Sequence, residues 1–402
     1  MKMNRLERTV YLQKLIDFRD KQLIKVVTVV RRCGKSTLLE IFQEYLRKNG
    51  VKPAQIVKIN LEDFDYIALH DPAALHAYVK ERLQPGQMTY VIIDEIQHCT
   101  DFPAVIDSLY IRDNIDIYLT GSNAYMLSGE IATLLSGRYV EIKMLPLSFK
   151  EYVVATGGTE NLVQSYRNYI QRSSFPYVLA LGDNSRAIRE YLEGVYNTIV
   201  VKDIAARKKI SDTMMLESVT RFLFASAGSP VSSKKIADTM TSAGRKVDVK
   251  TIEKYLDGLM ESFIVYQAKR YNIRGKQYLK TLEKYYAVDM GLRNLLLGSA
   301  GTDVGHILEN VVYLELLRRG FAVYVGKLDE LEVDFVARSQ EGLQYIQVAA
   351  SVRDENTLNR ELASLRKIAD NYPKLVLTLD DDPDADYDGI RRVNALAWLM
   401  QD

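Results

Sequence analysis

Lys35, Ser36, Asp94 and Glu95 are residue types that together can handle a nucleoside triphosphate. Val29-Val30-Arg31-Arg32-Cys33-Gly34-Lys35-Ser36 fits the phosphate-loop pattern G-x-x-x-x-G-K-[ST] at every fixed position but the first, where Val29 replaces glycine. In such a loop, backbone N–H groups at a helix start face the anion, the lysine reaches the β/γ-phosphates and the hydroxyl holds Mg²⁺. Lys35 and Ser36 take those two roles, and Arg31, Arg32, Cys33, Gly34 and Thr37 complete the nucleotide-binding run. Glycine at position 29 would permit a tight turn. Valine there is tolerated with some crowding if its φ is negative. It is strained by about 1–3 kcal/mol if φ is positive. The expectation is weakened nucleotide binding and turnover rather than loss of the site.

Tyr90-Val91-Ile92-Ile93-Asp94-Glu95 is an apolar strand ending in two carboxylates, a Walker B pattern. Asp94 at a strand's C-terminal end joins Ser36 in holding Mg²⁺, and Glu95 polarises the attacking water. A solvated acidic pair is the plain reading of this strand alone, and the upstream loop tips the balance toward chemistry. Thr120-Gly121-Ser122-Asn123 ends the next strand, with Asn123 or Ser122 as the candidate sensor. A helix N-cap is the competing reading. Arg138 could stabilise transition-state charge, in cis or from a neighbouring subunit, against the alternative of a surface arginine.

The elements that must carry these residues alternate between apolar strand runs and helical patterns. Strands are expected at 25–30, 56–62, 90–95, 116–121 and 139–144, giving an α/β fold with a parallel sheet of P-loop NTPase type over residues 1–150. Residues 151–290 read as a helical connector with a winged helix at about 215–282, and 291–402 as a further α/β domain. With 402 residues, 47% apolar content and net charge +1, the chain is an ordinary multidomain globular protein with no bulk attraction to polyanions. It lacks an apolar run of about 20 residues, and its first residues do not resemble a signal peptide, so a cytoplasmic protein with no membrane partner is expected. Cys33 and Cys99 form no metal spacing or disulfide framework, and the histidines are scattered.

In the middle region, a helix at 234–240, a turn with Gly244, a helix at 249–260 capped by Asp248, and a hairpin around Gly275 describe a winged helix. Its second helix would show Lys250 and Lys254 to DNA. Lys269, Arg270, Arg274, Lys276 and Lys280, interleaved with Tyr266, Tyr271 and Tyr278, make a basic aromatic wing suited to phosphate and base contact. Packing or oligomerisation is the competing use.

The last domain reads as a helix at 307–317, strands at 321–325, 331–337 and 343–349, a helix at 355–370 and a strand at 374–379. That order resembles the restriction-endonuclease fold. There a helix acid, a strand Asp and an [ED]-x-K pair gather Mg²⁺ and activate water. Glu309 and Asp334 fit the acids. Gln347 and Ala349 stand where the second carboxylate and the lysine belong. Cleavage is therefore not expected, and Glu309, Asp334 and Gln347 remain as a polar cluster in a domain that binds DNA or a protein.

Several segments together resemble a prokaryotic family of AAA-type ATPases fused to a C-terminal domain of unknown function. They are Val30-Arg31-Arg32-Cys33-Gly34-Lys35-Ser36-Thr37, Ile93-Asp94-Glu95-Ile96-Gln97, Thr120-Gly121-Ser122-Asn123, Leu135-Ser136-Gly137-Arg138, Leu145-Pro146-Leu147-Ser148-Phe149-Lys150-Glu151-Tyr152, and Lys284-Tyr285-Tyr286-Ala287-Val288-Asp289-Met290-Gly291-Leu292. The resemblance spans nearly the whole chain. It implies ATP and Mg²⁺ binding, catalytic roles for Lys35, Asp94 and Glu95, greater weight for Asn123 and Arg138, and a winged-helix-like element. The family loop begins with glycine, from which Val29 departs.

The expected function is a Mg²⁺-ATP-dependent ATPase whose nucleotide state controls a DNA-binding module, with a second copy or another protein as a further partner. The alternatives are a nucleotide-independent DNA-binding or scaffold protein with a decayed P-loop, and an ATP-gated nuclease.

Overall fold

Apolar runs such as Ile24-Lys25-Val26-Val27-Thr28-Val29 need cover on both faces, and a parallel sheet between helices supplies it. The computed structural model describes residues 6–121, 135, 137–298 and 304–401. They fall into two units, one of residues 1–144 with 261–263, the other of 145–260 with 264–402.

In the first unit, α1 (Thr9–Asp17) precedes β1 (Ile24–Val29), followed by α2 (Lys35–Lys48), β2 (Ile56–Asn60), α3 (Pro72–Glu81), β3 (Thr89–Asp94), α4 (Phe102–Tyr110), β4 (Ile115–Gly121) and β5 (Tyr139–Met144). The five strands are parallel in the order β2-β3-β4-β1-β5. The strands expected from sequence are all present, within two residues at each end. Every residue of β1, β3 and β4 is buried. Lys25 on β1 is among them because its ammonium donates to Asp116 on β4 and to the carbonyls of Lys21 and Leu23 at 3.0 and 2.9 Å.

The second unit begins with α5 (Phe149–Thr156), α6 (Leu162–Arg172), α7 (Val178–Leu181), α8 (Ser185–Thr198) with a π-helical extension (Ile199–Ala206), and α9 (Thr213–Ala225). Then come β6 (Pro230–Val231), α10 (Ser233–Ser242), α11 (Val249–Glu261), and the hairpin β7 (Val265–Asn272) and β8 (Gln277–Ala287). Asp248 takes the expected capping place, accepting from the Thr251 amide at 2.8 Å. After α12 (Met290–Leu297) follow α13 (Val304–Arg318), β9 (Ala322–Leu328), β10 (Leu331–Ser339), β11 (Gly342–Ala349), α14 (Glu355–Arg366), β12 (Lys374–Thr378), β13 (Ala385–Tyr387), β14 (Ile390–Asn394) and α15 (Ala395–Leu399).

The hairpin is not a free wing. It enters one nine-stranded sheet, ordered β13-β14-β12-β11-β10-β9-β7-β8-β6, in which β7 pairs in parallel with β9. The boundary drawn near residue 290 therefore runs through a single sheet and is no break in the structure. Between the two parts, Asp289 caps α12 and also accepts from the Ser174 amide at 2.6 Å and its hydroxyl at 2.7 Å. Gly291 is needed there, since a Cβ would fall 2.1 Å from the Arg172 carbonyl oxygen. Among the described residues, no helix is long and apolar enough to cross a membrane.

Candidate active site

The phosphate loop leaves β1 at Val29, which pairs with Met144 as the last residue of the strand, is 1% exposed and has no positive φ. The strain allowed for at this position is absent, and the valine simply ends a buried strand. Positive φ falls instead on Arg32, at 69°, and Gly34, at 90°. Gly34 is the N-cap of α2, so the glycine that the backbone needs is present. Lys35 opens the helix with its side chain buried, while Arg32, Ser36 and Thr37 are exposed. Arg31 lies 3.5 Å from Glu62. Cys33 is buried, and its carbonyl accepts from Arg8 Nη1 at 3.3 Å.

Strand order brings the two motifs together. β3 and β1 flank β4, and all three strands end on one edge of the sheet. Ser36 Oγ donates to Asp94 Oδ2 at 2.6 Å. Lys35 Nζ donates to Glu95 Oε1, and Gln97 Nε2 to Glu95 Oε2. Thr120 at the end of β4 ties the acids together: its hydroxyl donates to Asp94 Oδ1 and accepts from the Glu95 amide at 3.1 Å. Glu95 itself sits in the left-handed region, at φ 53° and ψ 52°. Burial pushes its carboxyl up. Lys35, Gln97 and Arg31 outweigh burial and hold the carboxyl below its usual range.

Thr120 and Gln97 were not singled out from the sequence. Both lie inside motif segments, Gln97 at the end of Ile93–Gln97 and Thr120 at the start of Thr120–Asn123. Asn123, with Ser122, lies outside the described residues. Gln97 Oε1 is buried and has no hydrogen-bond partner among the described residues.

These donors fit the group they are expected to hold. A buried lysine and a left-handed glycine at a helix start suit phosphate, and a hydroxyl bonded to a carboxylate suits Mg²⁺. Mg²⁺ ordinarily takes one or two protein oxygens and completes its shell with water and phosphate, as Ser36 and Asp94 would allow.

For Arg138, expected to act in cis or from a neighbouring subunit, the structure removes the first of the two places. It immediately precedes β5 and its carbonyl accepts from the Ile24 amide, so it stands at the amino-terminal edge of the sheet, opposite the phosphate loop. Its guanidinium pairs with Asp107 and lies 5.5 Å from the Tyr110 ring centroid. A strand of six residues separates the two edges, about 20 Å. A role in cis on this chain's own γ-phosphate is excluded by that distance.

In the second unit, Lys250, Lys254, Lys269 and Lys276 are exposed. Arg274 pairs with Asp329 at 3.1 Å, and Arg270 is half-buried with Nε enclosed. Of the five charges assigned to the wing, Arg274 is thus paired within the protein and Arg270 is partly enclosed by it.

The cluster expected around Glu309 and Asp334 exists, but its composition differs. Lys284 from β8 enters it and is almost fully buried, with Nζ 3.0 Å from Glu309, 2.8 Å from Glu332 and 3.6 Å from Asp334. The Tyr286 hydroxyl also donates to Glu309, at 2.7 Å. Burial pushes Lys284 down, but the three carboxylates outweigh it and keep the ammonium charged. One ammonium cannot neutralise three carboxylates, and burial with Asp334 nearby pushes Glu309 up to about 7. Gln347 is no ligand of this cluster. Its Oε1 accepts from the Asp334 amide at 2.6 Å and its Nε2 donates to Glu361 at 3.0 Å. Gly228 at φ 79° leaves room for the carboxylate, since a Cβ there would lie 2.9 Å from Glu309 Oε2. Among the described residues, no three His, Cys, Asp or Glu side chains are spaced to hold a metal ion. Lys284 opens the Lys284–Leu292 segment and begins a run that is buried through residue 290, and a charged residue in such a run is the signal that marks it.

An AAA domain model matches residues 21–153, and a model for a domain of unknown function (DUF8612) matches 163–303. An uncharacterized protein of Haemophilus influenzae is 42% identical over 400 residues, covering 98% of this chain and 99% of the relative. One of Methanocaldococcus jannaschii is 28% identical over 384 residues, 89% of this chain and 82% of the relative. The structure of a Walker-type ATPase of Pyrococcus abyssi aligns with 73% of this chain and 97% of its own, at a TM-score of 0.51 and 15% identity, a likeness of fold. Identity at this level over nearly the full length of both chains places the protein in the family of the Haemophilus influenzae relative, with an AAA domain of P-loop ATPase fold joined to a domain of unknown function.

Proposed function

We propose that the protein is a Mg²⁺-ATP-dependent ATPase whose nucleotide state controls a nucleic-acid-binding second unit. The observation that carries the reading is the convergence of Lys35, Ser36, Asp94, Glu95 and Thr120 on one edge of the parallel sheet. Both oxygens of Glu95 are engaged, one by Lys35 and one by Gln97. Arriving phosphate competes for the Lys35 ammonium, and its departure frees Glu95 Oε1 to accept a hydrogen bond from water. Substrate binding thus arms the base. Mg²⁺ held by Ser36 and Asp94 would supply charge neutralisation on the phosphates. Thr120 keeps the two acidic residues in register. Arg138 can act only on a neighbouring subunit's nucleotide.

The second unit is read as a binding module rather than a nuclease. Lys284 fills the space between Glu309, Glu332 and Asp334, where a divalent cation would otherwise have to balance their charge. The decisive assay measures ATP binding and hydrolysis in wild type, Lys35→Ala and Glu95→Gln. Binding lost in the first and turnover lost with binding kept in the second is the expected pattern. Hydrolysis that survives both variants sinks the reading.

A further inference from the structure

The hairpin and the C-terminal strands together build a surface that neither supplies alone. Tyr271 on β7 pairs directly with Tyr278 on β8 and with Gly326 on β9, and Tyr324 lies two residues from Gly326 on the same face. The three rings form one contact group, with centroids 5.1 to 6.0 Å apart. Helix α14 packs on β10, β11, β12 and β14. The tyrosines stand on the same side of the sheet, beside the core that helix covers. Tyr278 is 51% exposed there. Arg338 on β10 is also exposed and donates to the Tyr278 hydroxyl at 3.2 Å, which fixes the ring and sets a guanidinium at the edge of the group. Lys269 and Lys276 of the hairpin add exposed positive charge.

We propose that Tyr271, Tyr278 and Tyr324 with Arg338 form a stacking platform for single-stranded nucleic acid. The chemistry selects that occupant. Aromatic rings side by side on a sheet offer stacking to unpaired bases, and neighbouring cations offer contacts to the backbone phosphates. A duplex keeps its base faces stacked on one another and cannot use the rings. A winged helix reads a duplex with a free wing, and this hairpin is fastened into a nine-stranded sheet. The proposal rests on the reading of the second unit as a nucleic-acid-binding module and is independent of ATP turnover.

The test is fluorescence anisotropy on the full chain without nucleotide, using labelled dT and rU oligomers of about 20 nucleotides and a duplex of equal length. Both single-stranded probes should bind more tightly than the duplex. Tyr278→Ala and Arg338→Ala should each weaken binding about tenfold, and Tyr278→Phe, which keeps the ring face, should retain most of it. Arg338→Ala should also flatten the salt dependence. Tyr278 and Arg338 are exposed, so their variants should stay folded, and thermal melting checks this. Single-strand affinity unchanged in both alanine variants overturns the platform. Duplex binding that depends on Lys250 and Lys254, with no single-strand binding, overturns it while leaving the module reading intact. No binding of any probe at low salt removes both.

Discussion

Lys284 Nζ lies 3.0 Å from Glu309 Oε1, a buried ion pair joining the β8 hairpin strand to helix α13. Asn310, next on the helix, clamps the same strand: its amide accepts from the Ala287 N–H and donates to the Ala287 carbonyl, each at 2.8 Å. The pair therefore does structural duty at the seam where the hairpin enters the nine-stranded sheet. Removing the lysine leaves three carboxylates without their counter-charge. Lys284→Ala should lose about 3–5 kcal/mol of stability, because a lone buried charge costs more than the pair contributes. Lys284→Met combined with Glu309→Gln should recover much of the loss. Urea denaturation of the single and double variants measures both, and additive losses would count against the pairing.

The same cluster gives stability a pH dependence. Glu309 is pushed up to about 7 in the folded chain, so between the ordinary glutamate range and pH 7 the folded state holds a proton that the unfolded state releases. Its contribution is fully present at acid pH and is lost as pH rises through 7. The slope for this one proton is at most about 1.4 kcal/mol per pH unit. Glu309→Gln cannot titrate and should flatten that part of the profile. Unfolding free energies of both proteins from pH 5 to pH 8 check it, and parallel curves would remove Glu309 as the cause.

Val29→Gly restores the glycine of the motif and should bring no gain. Val29 carries no positive-φ strain to relieve, and its buried side chain would be lost from β1. The expected result is a destabilisation of about 2 kcal/mol with turnover unimproved. Marked activation would show that the valine does hinder the nucleotide.

Gln97 and Thr120 should affect hydrolysis through Glu95. Gln97 donates to Glu95 and helps hold its carboxyl low, so Gln97→Ala should raise that carboxyl and move the acidic limb of kcat to higher pH. Thr120→Val removes the hydroxyl that touches both Asp94 and the Glu95 amide. It should lower kcat by about tenfold or more while KM for ATP changes less. A kcat–pH profile of each variant separates these roles from simple loss of folding.

Glu95→Gln should keep ATP binding and lose hydrolysis by about 10²–10⁴-fold, the scale of a missing general base. Single-turnover assays beside a binding titration read both quantities, and near-normal turnover would transfer the base role elsewhere.

What the chain by itself determined is local. A phosphate loop is a strand end, a few loop residues and a helix start in direct succession, and an apolar strand ending in Asp94-Glu95 is equally contiguous, so both were legible as patterns. The five parallel strands were legible because full burial leaves unbroken apolar runs. The placement of Arg138 was also within reach, since a residue just before a parallel strand lies at the edge away from the ligand. Tertiary structure decided the rest. Val29's backbone geometry depends on how the strand runs into the loop, which residue type alone does not set. Lys284 meets Glu309 across 25 positions of chain, and only the joining of hairpin and C-terminal strands into one sheet brings them together. Tyr278 and Tyr324 become neighbours for the same reason. Periodicity reports which face of a strand is buried, but not which strand lies beside it, and in this protein the neighbouring strand determines both the buried lysine and the exposed tyrosines.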